Sequence, residues 1–162
     1  MPPHDKEALR RLFQYRCGYC GIRESDAGSE LTVDHFQPRS RGGLDDRANR
    51  VYCCHACNEF KSDFWELDSP RRILHPRLDS AEAHSIEDPD GKLRSLTETG
   101  AFHIDRLHLN RPQLIEYRYE RRLLEATRQT EMRLLEQLRE LDERLKSAIA
   151  ELNQLRQDKG EA

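Results

Sequence analysis

Long hydrophobic runs are missing from this 162-residue chain: nothing approaches the roughly 20 apolar residues of a membrane span, and charges interrupt even the opening MPPHDKEALRRLFQYR. Neither a spanning helix nor a secretory leader is expected, and a cytoplasmic protein with no membrane partner is expected. An even set of cysteines is missing too. There are five, and without a leader the CxxC pairs read as metal ligands in a reducing compartment rather than as a disulfide framework. An excess of positive charge is the third absence. Lys and Arg number 27 against 30 Asp and Glu, a net charge of -3, which excludes the global basic footprint of a protein that grips nucleic acid unaided. Finally, between Pro112 and Gly160 glycine and proline are absent altogether, which predicts a helix too long for an ordinary globular packing. With 36% hydrophobic and 35% charged side chains, the chain has room for one modest domain plus an extension, and domains that bury little apolar surface commonly lean on metals.

What is present concentrates in Leu31–Ser62, LTVDHFQPRSRGGLDDRANRVYCCHACNEFKS. An apolar run ends in the pair Asp34-His35, and a loop rich in glycine and arginine follows. A second apolar run, Arg50 to Cys53, then leads into CHACNEFK. Two strands and a helix fit this pattern. Cys54 and Cys57 make one CxxC turn and Cys17 and Cys20, in CGYC, make the other; four such thiolates suit tetrahedral Zn²⁺ at about 2.3 Å per Zn–S bond. Cys53 is left over as a small apolar residue of the second strand, and His55, inside the knuckle turn, is expected to be exposed. The loop sets Arg39, Arg41, Arg47 and Arg50 against Asp45 and Asp46, so it is locally positive and suited to phosphate.

Hydrolysis of a phosphodiester requires an activated water, stabilised phosphoryl oxygens and a stabilised leaving oxygen, which one hard cation and one base can supply. Asp34 offers a carboxylate and Asn58 an amide oxygen, the donors that Mg²⁺ (or Mn²⁺) prefers. His35, neutral near pH 7, can take the proton of the attacking water. Neighbouring strand residues face opposite sides, so the strand has to end at Asp34-His35 for both to serve one phosphate. Pro38 and Gly42-Gly43 make termination there the expectation.

The segment resembles the HNH family of nucleases, whose ββα-metal motif is a strand, a loop, a second strand and a helix around one divalent ion. The first family histidine falls on His35 in VDHFQPRSRGG, the middle asparagine on Asn49 and the third position on Asn58. Asn there replaces the last His, and Lys61 follows on the next helical turn. The resemblance is strong over Cys17 to Asp63, weak from Ile73 to Arg118 and absent beyond. It implies an α+β fold with a small zinc-stapled core, and a cleft into which both Asp34 and His35 turn. Asn49 then joins His35 in catalysis by bonding across the loop and holding the imidazole. Arg39, Arg41 and Lys61 are the expected contacts to DNA.

Around this core, Asp5 is expected to cap a helix running to about Tyr15. Asp88-Pro89-Asp90-Gly91 is turn chemistry for a hairpin between short runs at 83–87 and 92–97, and Phe64-Trp65 reads as packing beneath the core helix. Ala101–Leu109, with LNRPQLIEYR beyond it, resembles a segment that follows the nuclease core in some stand-alone HNH proteins, including ones tied to phage defence. Asn110 is expected to cap, and Pro112 to open, the long helix. Its leucines at 134, 138, 141, 145, 152 and 155, with Ala148, recur at alternating intervals of four and three. That is a coiled-coil-like seam of about three heptads, expected to pair with a second copy or with a helical partner through 134–155. Three segments result: a nuclease core over 1–66, an accessory segment with a hairpin over 67–110 and the long helix over 111–162. The expected function is a Mg²⁺-dependent DNA endonuclease with a structural zinc, with phage defence as its setting. The alternative is a zinc-stabilised module that binds nucleic acid or protein without cutting, against which the intact Asp34-His35 pair argues.

Overall fold

The structure is a computed structural model that describes residues 3–160, with side chains from Asp5 to Gln157. The extreme ends of the expected 1–66 and 111–162 segments lie outside the described residues. In chain order the elements are α1 (Pro3–Leu12), β1 (Thr32–His35), β2 (Arg50–Cys53), α2 (His55–Lys61), β3 (Ser85–Glu87), β4 (Leu93–Ser95), α3 (Glu98–Arg106) and α4 (Pro112–Gly160), with single 3-10 turns at Arg39–Arg41 and Ala81–Ala83. The architecture is α+β: two separate two-stranded antiparallel sheets, β1-β2 and β3-β4, and a long C-terminal helix.

Helix α1 stops at Leu12, short of Tyr15, because Tyr15 N donates back to Arg10 O (2.9 Å) and Gln14 N to Arg11 O (3.0 Å), a closing pattern that turns the chain left-handed at φ +52 and +56. Asp5 sits within the first turn of this helix and not before it. There its carboxylate still meets the positive end of the helix dipole. The chain then enters the CGYC turn. Gly18 N donates to Tyr52 O (2.8 Å), and a Cβ on Gly18 would come within 2.6 Å of the Phe13 ring, so only glycine lets the turn lie against β2.

Strand β2 carries Val51, Tyr52 and Cys53, all with 0% exposure. Such β-branched and aromatic residues suit a strand covered on both faces. One cover is α1, whose Leu9 is buried, and the other includes α2, which packs against β1. Glu24 ties these layers together by accepting from both Arg10 (2.7 Å) and the Tyr52 hydroxyl (2.7 Å). Pairing sets Asp34 opposite Val51 and His35 opposite Arg50, and β1 ends at His35.

The second sheet forms around the Asp88–Gly91 turn, with Ser85 opposite Ser95 and Glu87 opposite Leu93. Thr97 caps α3 through a bond from Gly100 N (3.0 Å). Asn110, expected as the cap of α4, is used differently: its amide accepts from Leu93 N (2.7 Å) and donates to Leu93 O (2.8 Å), pairing with β4 as a neighbouring strand would. Gly91, at φ +85, brings the hairpin turn against the backbone of Ile115 and Tyr119, where any side chain would collide. The chain divides between Tyr119 and Glu120 into two compact units. None of the helices among the described residues is long and apolar enough to cross a membrane.

Candidate functional site

The four cysteines singled out by spacing converge. The sulfurs of Cys17, Cys20, Cys54 and Cys57 all lie within 4.8 Å of one another, and Cys20 and Cys54 Sγ are 3.8 Å apart. Tetrahedral zinc with Zn–S bonds of about 2.3 Å needs sulfurs about 3.8 Å apart, so the set fits that ion. Each CxxC turn also aims an amide at its first sulfur: Cys20 N at Cys17 Sγ and Cys57 N at Cys54 Sγ, both 3.5 Å. Cys54 thereby serves as N-cap of α2, so the clip and the helix start are one feature. Hydrogen bonding with the neighbouring sulfurs, Cys17 first, draws the Cys54 thiol down and pushes that of Cys57 up. Four thiolates at this spacing repel one another unless a cation sits among them. Cys53 stays out of the cluster in the core, where burial pushes its thiol up, and His55 is exposed.

A contact that the sequence does not advertise completes the clip. Arg111 brings its guanidinium to Cys54 Sγ (3.8 Å) and Cys57 Sγ (3.9 Å), above the Phe60 ring. It lies far along the chain, between the accessory segment and α4, and no local pattern links it to cysteines more than fifty residues earlier.

Asp34 and His35 have different partners, as alternation along β1 requires. Asp34 is buried and fully engaged. It accepts from the Tyr19 hydroxyl (2.6 Å) and pairs with the Lys61 ammonium at 2.9 Å. Burial, then the Asp34 charge, pushes the Tyr19 phenol well up, so it stays a donor. Lys61, offered by the sequence as a phosphate contact, is instead 1% exposed. Its ammonium donates to Asp34 and to His35 O (2.9 Å), anchoring the end of β1 from α2. Desolvating an ammonium this far requires such a set of acceptors.

His35 lies at the end of β1, partly exposed, with Nε2 2.7 Å from Asp45 Oδ1. Asp45 also accepts from Arg50 Nη2 (2.8 Å), and these two neighbours, His35 first, bring its carboxyl down to about 2. An ionised Asp45 orients the imidazole. Asn49 bonds neither ring nitrogen. Its side chain accepts from Gln37 N (2.8 Å) and donates to Gln37 O (2.9 Å) and Leu44 O (2.8 Å), clamping the loop on the flanks of both His35 and Asp45. Gly43 passes so close to the Gln37 carbonyl and the Asn49 amide that a Cβ could not fit there. In the sequence Asp45 is one of several loop charges, and its register with His35 emerges when the loop closes. Arg39 and Arg41, in the 3-10 turn, are exposed.

Asn58, on the first turns of α2, is half-buried and its side-chain amide makes no hydrogen bond among the described residues. That oxygen fits a hard divalent cation such as Mg²⁺ or Mn²⁺. Asp34 does not fit as it stands, because Lys61 and Tyr19 occupy its oxygens.

What the geometry defines is a ββα unit, a strand, braced loop, strand and helix, clipped by four cysteines to an N-terminal turn. Residues 17–64 match the sequence model of the HNH endonuclease family. Among curated proteins, the chain is similar to a Septu protein PtuA of Bacillus mycoides (strain KBAB4), 26% identical over 141 residues, covering 68% of this chain and 20% of that protein. The chain thus spans about a fifth of that relative's length. No solved structure matches it significantly.

Proposed function

We propose that the ββα unit is a nuclease that hydrolyses phosphodiester bonds of DNA, with His35 as general base. One observation carries this reading: His35, at the accessible end of β1, is paired at 2.7 Å with Asp45 across a loop that Asn49 clamps on both sides. A base held in one orientation by a carboxylate is what abstraction of a proton from water needs. Asp45 compensates the charge that develops on the imidazole, and the exposed Arg39 and Arg41 offer donors to phosphoryl oxygens. Asn58 would help to hold a divalent ion, which would supply charge neutralisation at the phosphate. Asp34 serves as the anchor for Lys61 and joins such an ion only if Lys61 withdraws. The cysteine clip would hold zinc in a structural role, since its four thiolates would leave the ion no open position.

The resemblance of 101–118 to HNH proteins tied to phage defence, together with the relative named Septu protein PtuA, supports placing this nuclease in a defence system of that kind. The test is to incubate the purified chain with supercoiled plasmid, with and without Mg²⁺ or Mn²⁺, beside His35→Ala. Wild type should nick or linearise, and His35→Ala should lose about 10² to 10⁴ in rate while keeping zinc and fold. Equal cleavage by both proteins sinks the assignment; plasmid binding without cleavage by either favours the binding-module reading.

A further inference from the structure

From Leu134 to Leu155 every leucine and isoleucine of α4 is 49–62% exposed. A helical segment with this much apolar surface needs a cover. We propose that the cover is the same segment of a second copy of this chain, running antiparallel and centred between Lys146 and Ser147. The inference rests on reading 134–155 as a pairing helix and is independent of the nuclease reading.

The heptad register puts Leu138, Leu145 and Leu152 at one core position and Leu134, Leu141, Ala148 and Leu155 at the other. In a parallel, in-register pair Ala148 stacks on Ala148 of the second copy, leaving a gap between leucine layers. The other core position is leucine throughout, where a parallel two-stranded coil favours β-branched residues. Arg144 then faces an apolar Ile149. The antiparallel arrangement removes the first two of these mismatches, while Ile149 then faces Asp142 of the second copy. Leu138 meets Leu155, Leu141 meets Leu152, and the small Ala148 meets the large Leu145, each twice by symmetry, so six layers alternate without a void.

The flanking charges agree. In the antiparallel register Arg144 lies beside Glu151 of the second copy, and the two-fold axis repeats that pair on the same flank. Along the opposite flank the aliphatic stem of Arg156 reaches over Leu135, which is 50% exposed. Shifting the antiparallel register by one heptad towards the N-terminus would put Arg144 against Arg144 and Asp142 against Asp142, so among antiparallel pairings charge selects the register.

Sedimentation equilibrium of the full chain at tens of micromolar decides this, with helicity followed by circular dichroism. Wild type is expected to be a dimer. Arg144→Glu and Glu151→Arg should each weaken it by roughly ten-fold or more, and the double exchange Arg144→Glu/Glu151→Arg should restore it. In a parallel coil Arg144→Glu faces only Ile149 and changes little, while Glu151→Arg is rescued by Arg156→Glu instead. That pattern overturns the proposal, as does a wild-type monomer or an assembly larger than a dimer. A monomeric wild type that still cleaves plasmid would remove the pairing and leave the nuclease reading standing.

Discussion

At the scale of single residues, the site sorts into groups that face solvent and groups that hold them from below. Lys61 shows the difference. From sequence it is a lysine one turn beyond a metal-site position, equally consistent with a phosphate contact. In the fold its ammonium lies in the core against Asp34 and the His35 carbonyl, so its charge is spent on the shape of the strand end. His103 makes a second case. It is buried, accepts from Leu74 N at 3.1 Å through Nδ1, and burial brings its pKa down to about 4. The unfolded chain, with an ordinary histidine near 6.5, takes up a proton first as pH falls. Stability should therefore be lost between pH 6.5 and 4, by up to about 3 kcal/mol, and stay level above that window. Thermal melts at pH 7 and pH 5 should show a smaller acid shift for His103→Asn, which keeps an acceptor near the Nδ1 position; an identical shift would acquit His103.

Elements are held here by clips more than by length. Strands β1 and β2 have four residues each and α2 seven, too short to persist alone. The cysteine cluster joins the turn after α1 to the start of α2, and Arg111 brings the entry of α4 to the same sulfurs. Purified protein should accordingly carry one zinc per chain, measured by elemental analysis. Cys17→Ser should lose that zinc and the cooperative melt together, since metal binding and folding are one equilibrium in domains this small. A Cys17→Ser protein that melts as wild type does would break the link between the clip and the fold.

For the whole molecule, charge limits how DNA is held. With a net charge of -3 and Lys61 buried, Arg39 and Arg41, both exposed, are the two that remain of the three DNA contacts the resemblance implies. Two such contacts predict a slope of about -2 for log K against log salt, reduced by about one when either arginine becomes alanine. Fluorescence anisotropy with duplex DNA over a salt series measures this. A slope steeper than about -5 would reveal a basic surface elsewhere and displace the loop as the principal contact.

Much of the fold was legible in the sequence because the decisive signals were local. The two CxxC turns, the Asp88–Gly91 hairpin turn and the breaker-free run after Pro112 each depend on residues a few positions apart, and each element stands where those residues lie. The resemblance over Cys17–Asp63 rests on the same short-range order, and the α+β class was what that resemblance implied. Only the tertiary structure decided which partners the site residues take. The Asp45 carboxylate on His35, Lys61 beneath Asp34, Arg111 over the cysteine sulfurs and the Asn110 amide against β4 all join positions that chain order leaves unrelated. The physical reason is that a charged or amide group gains its role from what desolvates it and what it meets, and neither is written in its neighbours along the chain.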